Sequence, residues 1–197
     1  MNYIIAGLGN PGQEYENTRH NTGRIMLSAF AKKNKADEWK DDKKIKSETA
    51  KIKLEKNTAF LIKPNTFMNK SGDAVKFLIK SKKQAETLII VHDDLDIPFG
   101  KIKISFNKSA GGHKGVQSII KAVKTEGFIR MRIGIAPITK SGKIKKPQGE
   151  KAIENLILGK FKSSENDILK KIIKKVIEGL ESIIVEGREI AMMKMNS

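Results

Sequence analysis

The chain has 197 residues, a formal net charge of +17 and no cysteine. A chain of this length suits one domain with a sizeable core, taken here as residues 1–197, and the lack of cysteine excludes disulfides and thiolate metal sites. No apolar run approaches the ~20 residues of a membrane span, and the N-terminus leads into a strand without a signal-peptide pattern. We therefore expect a soluble, cytoplasmic protein with no membrane partner.

The positive charge has two interpretations. It favours attraction to a polyanion, most simply a nucleic acid. However, lysine outnumbers arginine 34 to 5, and the chain is also rich in isoleucine and asparagine, which compositional drift could produce without selection for binding. The charge therefore indicates a nucleic-acid surface only where it clusters.

The first predicted element is a short buried strand at residues 3–6, which runs directly into a glycine-rich loop. Gly7, Gly9 and Gly12 allow a tight turn, and proline at position 11 stiffens it. Polar side chains, including Asn10 and His20, follow at this strand end, which is where α/β proteins place their chemistry.

The same glycines match the dinucleotide-binding pattern G-x-G-x-x-G. That pattern should open a helix directly and be followed, ~20 positions later, by an acidic residue at the end of a second buried strand. Here the residues after Gly12 are polar through Asn21, and the next predicted strand, 45–54, carries three lysines. Such a strand is unlike one buried on both faces, so the pattern argues against a nicotinamide or flavin cofactor.

The rest of the chain alternates between predicted helices and strands. After Pro64 comes a polar loop with Ser71 as the predicted N-cap of a helix through Ile79. The hydrophobic periodicity is typical of an α/β fold, and a predicted hairpin makes the sheet mixed. Other helices are predicted at 22–34, 116–124, 150–158 and 164–188, and strands at 45–54, 59–63, 88–91, 101–106 and 130–135.

Three histidines, His20, His92 and His113, are all assigned to loops that glycine or acidic residues border. A loop histidine at a strand end is more exposed than a core histidine, and its ordinary pKa suits proton transfer at neutral pH. Asp93 follows the most buried predicted strand, where its carboxylate could accept a bond from an imidazole N–H and raise the basicity of the ring. Any one of these histidines alone could be a hydrogen-bonding loop residue, so the hypothesis rests on the combination.

The reaction class follows from what the chain lacks. There is neither a G-x-S-x-G motif nor a cysteine nucleophile, so a histidine–carboxylate pair indicates a base that activates water. The amides of Asn10, Asn21 and Asn69 could hold a carbonyl or an oxyanion. An alternative is a divalent metal on the carboxylates at 93, 94 and 96, since hard cations prefer oxygen ligands, but this cluster lacks a further ligand set. We expect neither a metal nor a cofactor.

Five motifs in order over nearly the whole chain resemble the bacterial peptidyl-tRNA hydrolase family. The resemblance implies a single globular α/β domain with a twisted mixed β-sheet flanked by helices. It also implies a monomeric, metal-independent esterase that splits the bond between a peptide and the terminal ribose of tRNA. The motifs are Gly7-Leu8-Gly9-Asn10-Pro11-Gly12 with Tyr15 and Thr18-Arg19-His20-Asn21, Thr66-Phe67-Met68-Asn69 before Ser71-Gly72, His92-Asp93-Asp94-Leu95-Asp96, Gly111-Gly112-His113 and Arg130-Met131-Arg132-Ile133-Gly134-Ile135.

The resemblance also implies roles for individual residues. His20 would be the general base on water, and Asp93 would orient it. Asn10 would recognise the acylated amine that separates peptidyl-tRNA from aminoacyl-tRNA. The residues expected to contact the peptide or the acceptor end are Tyr15, Phe67, Met68, Asn69 and His113.

Two positions depart from the family pattern. Lys114 stands where the family has asparagine, so a flexible cation replaces an amide contact. Ser105 stands where the family commonly has a lysine that clamps the 5′ phosphate of tRNA. The partner arginine would be Arg132, and Lys103 or Lys108 is expected to substitute for the missing lysine.

The lysines near the second glycine loop form a predicted phosphate track for the acceptor stem of tRNA. The competing interpretation of this track is a solvated face, which we expect instead for the lysines of the C-terminal helix. A competing function is a non-catalytic RNA-binding module in which Lys114 marks lost activity. The track consists of Lys101, Lys103, Lys108, Lys114 and the loop lysines at 140, 143, 145 and 146.

Overall fold

The computed structural model of the protein describes residues 2–139 and 143–197, so Lys140 of the predicted track lies outside the described residues. Within this part of the chain there are seven strands and seven helices. The strands are β1 (Asn2–Gly7), β2 (Lys40–Asp42), β3 (Ser47–Leu54), β4 (Asn57–Pro64), β5 (Leu88–Pro98), β6 (Ile102–Phe106) and β7 (Ile129–Ala136). The helices are α1 (Thr22–Lys33), α2 (Gly72–Val75), α3 (Lys82–Ala85), α4 (Lys114–Val123), α5 (Glu150–Leu158), α6 (Asn166–Val185) and α7 (Arg188–Met195).

All the described strands form one sheet in the order β2-β3-β4-β1-β5-β7-β6. The four central strands, β4, β1, β5 and β7, are parallel. The outer strands β3, β2 and β6 pair antiparallel. This confirms the predicted mixed sheet in an α/β fold.

The period-two alternation of the central strands divides the core into two layers. On one face, Ile89 and Val91 pack with α1 and α6; on the other, Leu88 and Ile90 pack with α2 and α4. Both faces of the parallel strands are therefore buried, as such strands require. None of the helices in the described part of the chain has the length and apolar composition that crossing a membrane demands.

Some local predictions were wrong, and three elements, β2, α3 and α7, were not predicted. Strand β5 continues from Val91 through Pro98, with an irregular register after Asp94. The helix predicted at 164–188 corresponds to α6, which ends at Val185, and the further helix α7 begins after Gly187, whose φ of 98° interrupts the helical backbone. Ser71 does not cap α2 with its side chain, because its hydroxyl donates to the carbonyl of Met68 instead. Strand β2 and helix α3 are too short for the periodicity to have shown them.

Gly23, at the start of α1, lies where this helix packs closely against the backbone of β5 and of the residue that follows β1. A Cβ atom there would overlap the backbone of Leu8 and the carbonyl oxygen of Val91. We expect Gly23→Ala to lower the free energy of unfolding by about 3 kcal/mol, measured by urea titration, because the obstacles are backbone atoms that cannot rotate away. In the control variant Gly127→Ala, the new Cβ would contact only the Thr125 hydroxyl, at 3.2 Å. We therefore expect the free energy of unfolding of this variant to change by less than ~1 kcal/mol. Equal losses in the two variants would contradict this account.

Candidate active site

The polar residues that the sequence singled out meet at the carboxyl end of β1, beside the middle of β5. The two strands are parallel neighbours, and Gly7, the last residue of β1, pairs with Val91, so that β5 continues past this point. The loop after β1 brings Asn10 and His20, β5 carries Asp93, and the N-cap of α4 brings His113. Residues far apart in sequence thereby form one cluster.

Asp93 is the centre of the cluster and is 2 % exposed. Its carboxylate oxygens lie 3.1 and 3.0 Å from Nδ1 of His20. One of them also lies 3.0 Å from Nε2 of His113. A single buried carboxylate therefore holds two imidazole rings, whose centroids are 5.2 Å apart.

The hydrogen-bond partners assign the tautomers of these two rings. An ionised carboxylate only accepts, so Nδ1 of His20 and Nε2 of His113 carry the protons. Nδ1 of His113 accepts from the backbone N–H groups of Gly115 and Val116 at 3.2 and 3.3 Å, which occupies its lone pair. Nε2 of His20 makes no hydrogen bond with any residue that the structure describes. His20 thus offers a lone pair for proton abstraction, and His113 does not.

The electrostatics of the pair favour a basic imidazole. Burial lowers the pKa of His20, but the charge of Asp93 and its hydrogen bond outweigh burial, so that this pKa is raised above its ordinary value. Burial opposes ionisation of Asp93, yet the two imidazoles and their hydrogen bonds keep its pKa below its usual range. Asp93 therefore stays ionised at neutral pH and strengthens His20 as a base.

His92 differs from the sequence prediction. It lies within β5 rather than in a loop and is fully buried, and His20, at 8 % exposure, is also more enclosed than expected. Nδ1 of His92 donates to the carbonyl of Asp93 at 2.6 Å. Burial is the main cause, and the neighbouring His113 and Arg130 act in the same direction, so that the pKa of His92 is lowered well below its ordinary value. His92 is consequently a neutral residue that holds the backbone of Asp93.

Asn10 is held by three hydrogen bonds. Its backbone N–H donates to Oδ1 of Asn21 at 2.8 Å, and Nδ2 of Asn21 donates back to the Asn10 carbonyl at 2.9 Å. Its own Oδ1 accepts from the backbone N–H of Met68 at 2.8 Å. This leaves the Nδ2 donors of Asn10 without a partner in the described part of the chain. Asn21, which the sequence offered as an oxyanion ligand, positions Asn10 instead.

The remaining predicted substrate residues surround this cluster to different degrees. Phe67 is 57 % exposed, and Asn69 is exposed on the 3₁₀ turn that follows it. Tyr15 is half-buried on another short turn after the glycine loop. Met68 is buried in the core, where its sulfur lies against Gly115. The structure therefore joins Met68 to Asn10 directly and leaves Phe67 and Asn69 accessible to a ligand.

Lys114 lies at the rim of a groove of about 310 Å³ beside α4. Its side chain is exposed, and Nζ lies 3.4 Å from Oε1 of Glu150 at the start of α5. The hydrogen-bond network of Asp93 does not involve the Lys114 side chain. The other residues that line the groove are Asn69, Gln117, Ser118 and Lys121.

At the edge of the sheet, β6 and β7 pair Lys103 with Arg132 and Ser105 with Arg130. These pairs are two residues apart, so all four side chains share one face of the sheet. Nε of Arg132 donates to Asp94 at 2.7 Å. Arg130 and Ser105 are buried, and Arg130 Nη1 and Ser105 Oγ have no hydrogen-bond partner among the described residues. The chain thus places three cations next to Ser105.

The alternative metal site on Asp93, Asp94 and Asp96 is not supported by where their side chains point. Asp94 accepts from Arg132 at 2.7 Å, and Asp96 accepts from Lys146 at 2.6 Å. Since Asp93 faces the histidines, the three carboxylates do not converge on one position.

A different set of ligand atoms, on His20, Asp93 and His113, does lie within 4.8 Å of one another. Nδ1 of His20 and Nε2 of His113 both donate an N–H hydrogen bond to the carboxylate of Asp93. A metal there would require both imidazoles to release those protons. The cluster is better matched to holding protons than to holding a cation.

Comparison with known proteins points in one direction. The family model described as peptidyl-tRNA hydrolase matches residues 4–197. A peptidyl-tRNA hydrolase of Prochlorococcus marinus (strain AS9601) is 39% identical over 203 residues, which cover 100% of this chain and 97% of that protein. One of Thermoanaerobacter sp. (strain X514) is 40% identical over 195 residues, covering 98% and 99% of the two chains. The crystal structure of peptidyl-tRNA hydrolase from Acinetobacter baumannii superposes with a TM-score of 0.84 at 30% identity, covering 99% of this chain and 94% of that one.

Proposed function

The chain belongs to the peptidyl-tRNA hydrolase family, and we propose that His20 is the general base with which it hydrolyses the ester bond of peptidyl-tRNA. The observation that carries this proposal is the hydrogen bond of 3.0 Å between Nδ1 of His20 and the buried carboxylate of Asp93. This bond leaves the lone pair on Nε2 of His20 available as a base at the carboxyl end of β1. The expectation of a hydrolase is confirmed by the family; the role of His20 is our proposal.

In the proposed reaction, Nε2 of His20 removes a proton from a water molecule as the water oxygen attacks the ester carbonyl carbon. The carbonyl π electrons move to oxygen, giving a tetrahedral oxyanion. When this intermediate collapses, the bond to the ribose oxygen of tRNA breaks, and that oxygen takes the proton back from His20. The products are a free peptide carboxyl group and deacylated tRNA. Asp93 stays ionised throughout and stabilises the imidazolium that forms.

The fixed amide of Asn10 supports a role in both recognition and catalysis. Because the Met68 N–H occupies its Oδ1, Asn10 presents only N–H donors to a ligand. Such donors can bind the carbonyl oxygen of an acylated amine, whereas a free ammonium group offers donors alone and no acceptor. The same preference favours an N-blocked substrate over aminoacyl-tRNA. Together with Asn69, Asn10 could also receive the developing oxyanion.

The cations around the site support a tRNA phosphate track. Lys114 borders the groove beside α4, and Lys103 lies next to Arg132 at the sheet edge. These positions suit recognition of the acceptor stem through phosphates and helix shape. Tyr15, Phe67, Met68 and His113 are proposed to shape the site around the peptide. We further propose that the protein acts as a monomer in the cytoplasm, where translation supplies its substrate.

The test is release of a labelled N-acetyl-aminoacyl group from tRNA, beside the same tRNA without the acetyl group. We expect cleavage of the acetylated substrate and little of the other. Binding of tRNA with steep salt dependence but no cleavage of either would overturn the proposal in favour of an RNA-binding module.

Removing one cation of the track tests its contact with phosphate. We expect Lys103→Ala to raise KM roughly 3- to 10-fold and to reduce the slope of log Kd against log salt by ~1, because one phosphate contact is lost. The matched control is Lys174→Ala on α6, since both lysines are exposed and neither forms an ion pair with a described residue. Equal effects in the two variants would show that the net charge of the protein, rather than this track, attracts tRNA.

A further inference from the structure

Arg19 precedes His20 and belongs to the same motif, yet the mechanism above does not use it. Its side chain is buried, although arginine is among the residues most often exposed. Nη2 of Arg19 donates to both carboxylate oxygens of Glu165, at 2.9 and 2.7 Å. Glu165 also accepts the backbone N–H of Lys162 at 2.7 Å. Two residues 146 positions apart in sequence thus form an ion pair in which the arginine is buried and the glutamate is partly exposed.

Aromatic rings enclose the same guanidinium group. It lies 4.7 Å from the ring centroid of Phe161 and 5.8 Å from that of Phe99, and the two rings stack at 5.6 Å. Phe99 directly follows β5, the strand that carries Asp93. Arg19 thus connects the end of that strand to the segment between α5 and α6.

The backbone of the His20 turn is attached to this segment as well. Thr18 forms a β-bridge with Lys160, and the N–H of Arg19 donates to the carbonyl of Gly159 at 3.0 Å. The carbonyl of Arg19 accepts from the hydroxyl of Thr22 at 2.6 Å. The turn is therefore fixed on one side by residues 159–165, while on the other side Asp93 holds the His20 ring.

We infer that Arg19 and Glu165 act as a positioning pair that fixes the turn bearing His20, so that its ring stays in register with Asp93. This inference rests on the proposed role of His20 as the base. Arg19 is not itself a catalytic residue, because its guanidinium is buried against Glu165 and two phenylalanines. Nor is it placed to bind phosphate, since its charge is enclosed and already paired. Loosening the turn should weaken the His20–Asp93 bond and leave the tRNA contacts intact.

The expected signature separates positioning from binding. In Arg19→Gln and in Glu165→Gln we expect kcat to fall between ~10- and ~100-fold, because a small displacement of the base is costly to catalysis. KM should change less than ~2-fold, since neither side chain contacts the tRNA track. The double variant should be no worse than the more impaired single variant, because both changes break one interaction. Arg19→Lys, which keeps the charge, should recover part of the loss.

A second readout needs no substrate: the titration of His20 followed by NMR. The charged and titratable groups that act on this ring are Asp93 on β5, His113 at the start of α4 and Lys114 on α4. Because Asp93 raises the pKa of His20, a looser bond should lower it, and the acid limb of kcat/KM should move to lower pH. Val176→Ala, a buried change in the core layer that contains α1 and α6, is the control that lowers the melting temperature without moving the His20 titration or the acid limb.

Two outcomes would overturn the inference. If both variants lower the melting temperature like Val176→Ala but keep kcat and the His20 titration of the wild type, the pair is merely structural. If KM rises and its salt dependence changes, Arg19 contacts tRNA. If one of the two variants does not fold, the other still tests the inference, because each removes the same ion pair between Arg19 and Glu165. Failure of the proposed function is distinguishable, since it would appear as unaltered turnover in His20→Ala.

Discussion

Replacement of His20 by alanine is expected to lower turnover ~10²- to 10⁴-fold while tRNA binding persists. The reason is geometric: Nε2 of His20 is the basic lone pair that Asp93 orients, and His113 cannot replace it because backbone N–H groups occupy its Nδ1. The measurement is single-turnover release of labelled N-acetyl-aminoacyl groups, which reports the chemical step without product release.

Binding provides the control for this variant. Affinity for deacylated tRNA, measured at two salt concentrations, should match that of the wild type, because the proposed phosphate contacts lie on α4, β6 and β7. His20→Ala with wild-type turnover would remove His20 from the mechanism. A large loss of tRNA affinity would instead assign it to binding.

Asp93→Asn should lower turnover by about 10³-fold, a loss comparable to that of the base itself. The carboxylate accepts from two imidazoles at once, whereas an amide offers one acceptor oxygen and an NH₂ group. Whichever ring faces the NH₂ must present a lone pair to it. If that ring is His20, its proton moves to Nε2, and the lone pair needed to activate water is lost.

The pH dependence of kcat/KM provides a second test of Asp93→Asn, because the direction in which it should shift is known. In the wild type the negative charge of Asp93 raises the pKa of His20. The neutral amide introduced by Asp93→Asn removes that attraction, so burial dominates and the pKa of His20 falls. The acid limb of kcat/KM should therefore move to lower pH while the plateau falls. An acid limb that stays in place would show that another group sets it.

The substitution at Lys114 is compatible with an intact catalytic cluster. The side chain of this residue is exposed and directed to Glu150 at 3.4 Å. The hydrogen bonds of His113 to Asp93 and to the N-terminus of α4 do not pass through it. A lysine at this position alters the rim of the groove, and its charge acts to lower the pKa of His20, while the hydrogen bonds between His20 and Asp93 stay intact.

The sequence by itself determined most of the helices and strands and the types of reactive side chain that are available to the site. The apolar runs of β1 and β5, the helical spacing of α1, α4 and α5, and the β3–β4 hairpin all follow from patterns of neighbouring residues. Histidine, carboxylate and amide side chains at strand ends predicted water activation, and the motifs identified the family. The inferences about the elements succeeded because hydrophobic periodicity and turn chemistry act over a few residues, whereas water activation by a histidine stays a prediction.

Only the tertiary structure decided which polar groups face one another. The burial of His92 depended on β5 continuing past Val91, which its pairing with β7 establishes. Asn21 supports Asn10, Asp94 pairs with Arg132, and Arg19 pairs with Glu165, none of which a local pattern reveals. Such partners are chosen by strand register and helix packing, which bring together groups up to 146 residues apart. A motif therefore identifies the residues of a site, whereas long-range packing determines their hydrogen-bond partners and, through these, the positions of their protons.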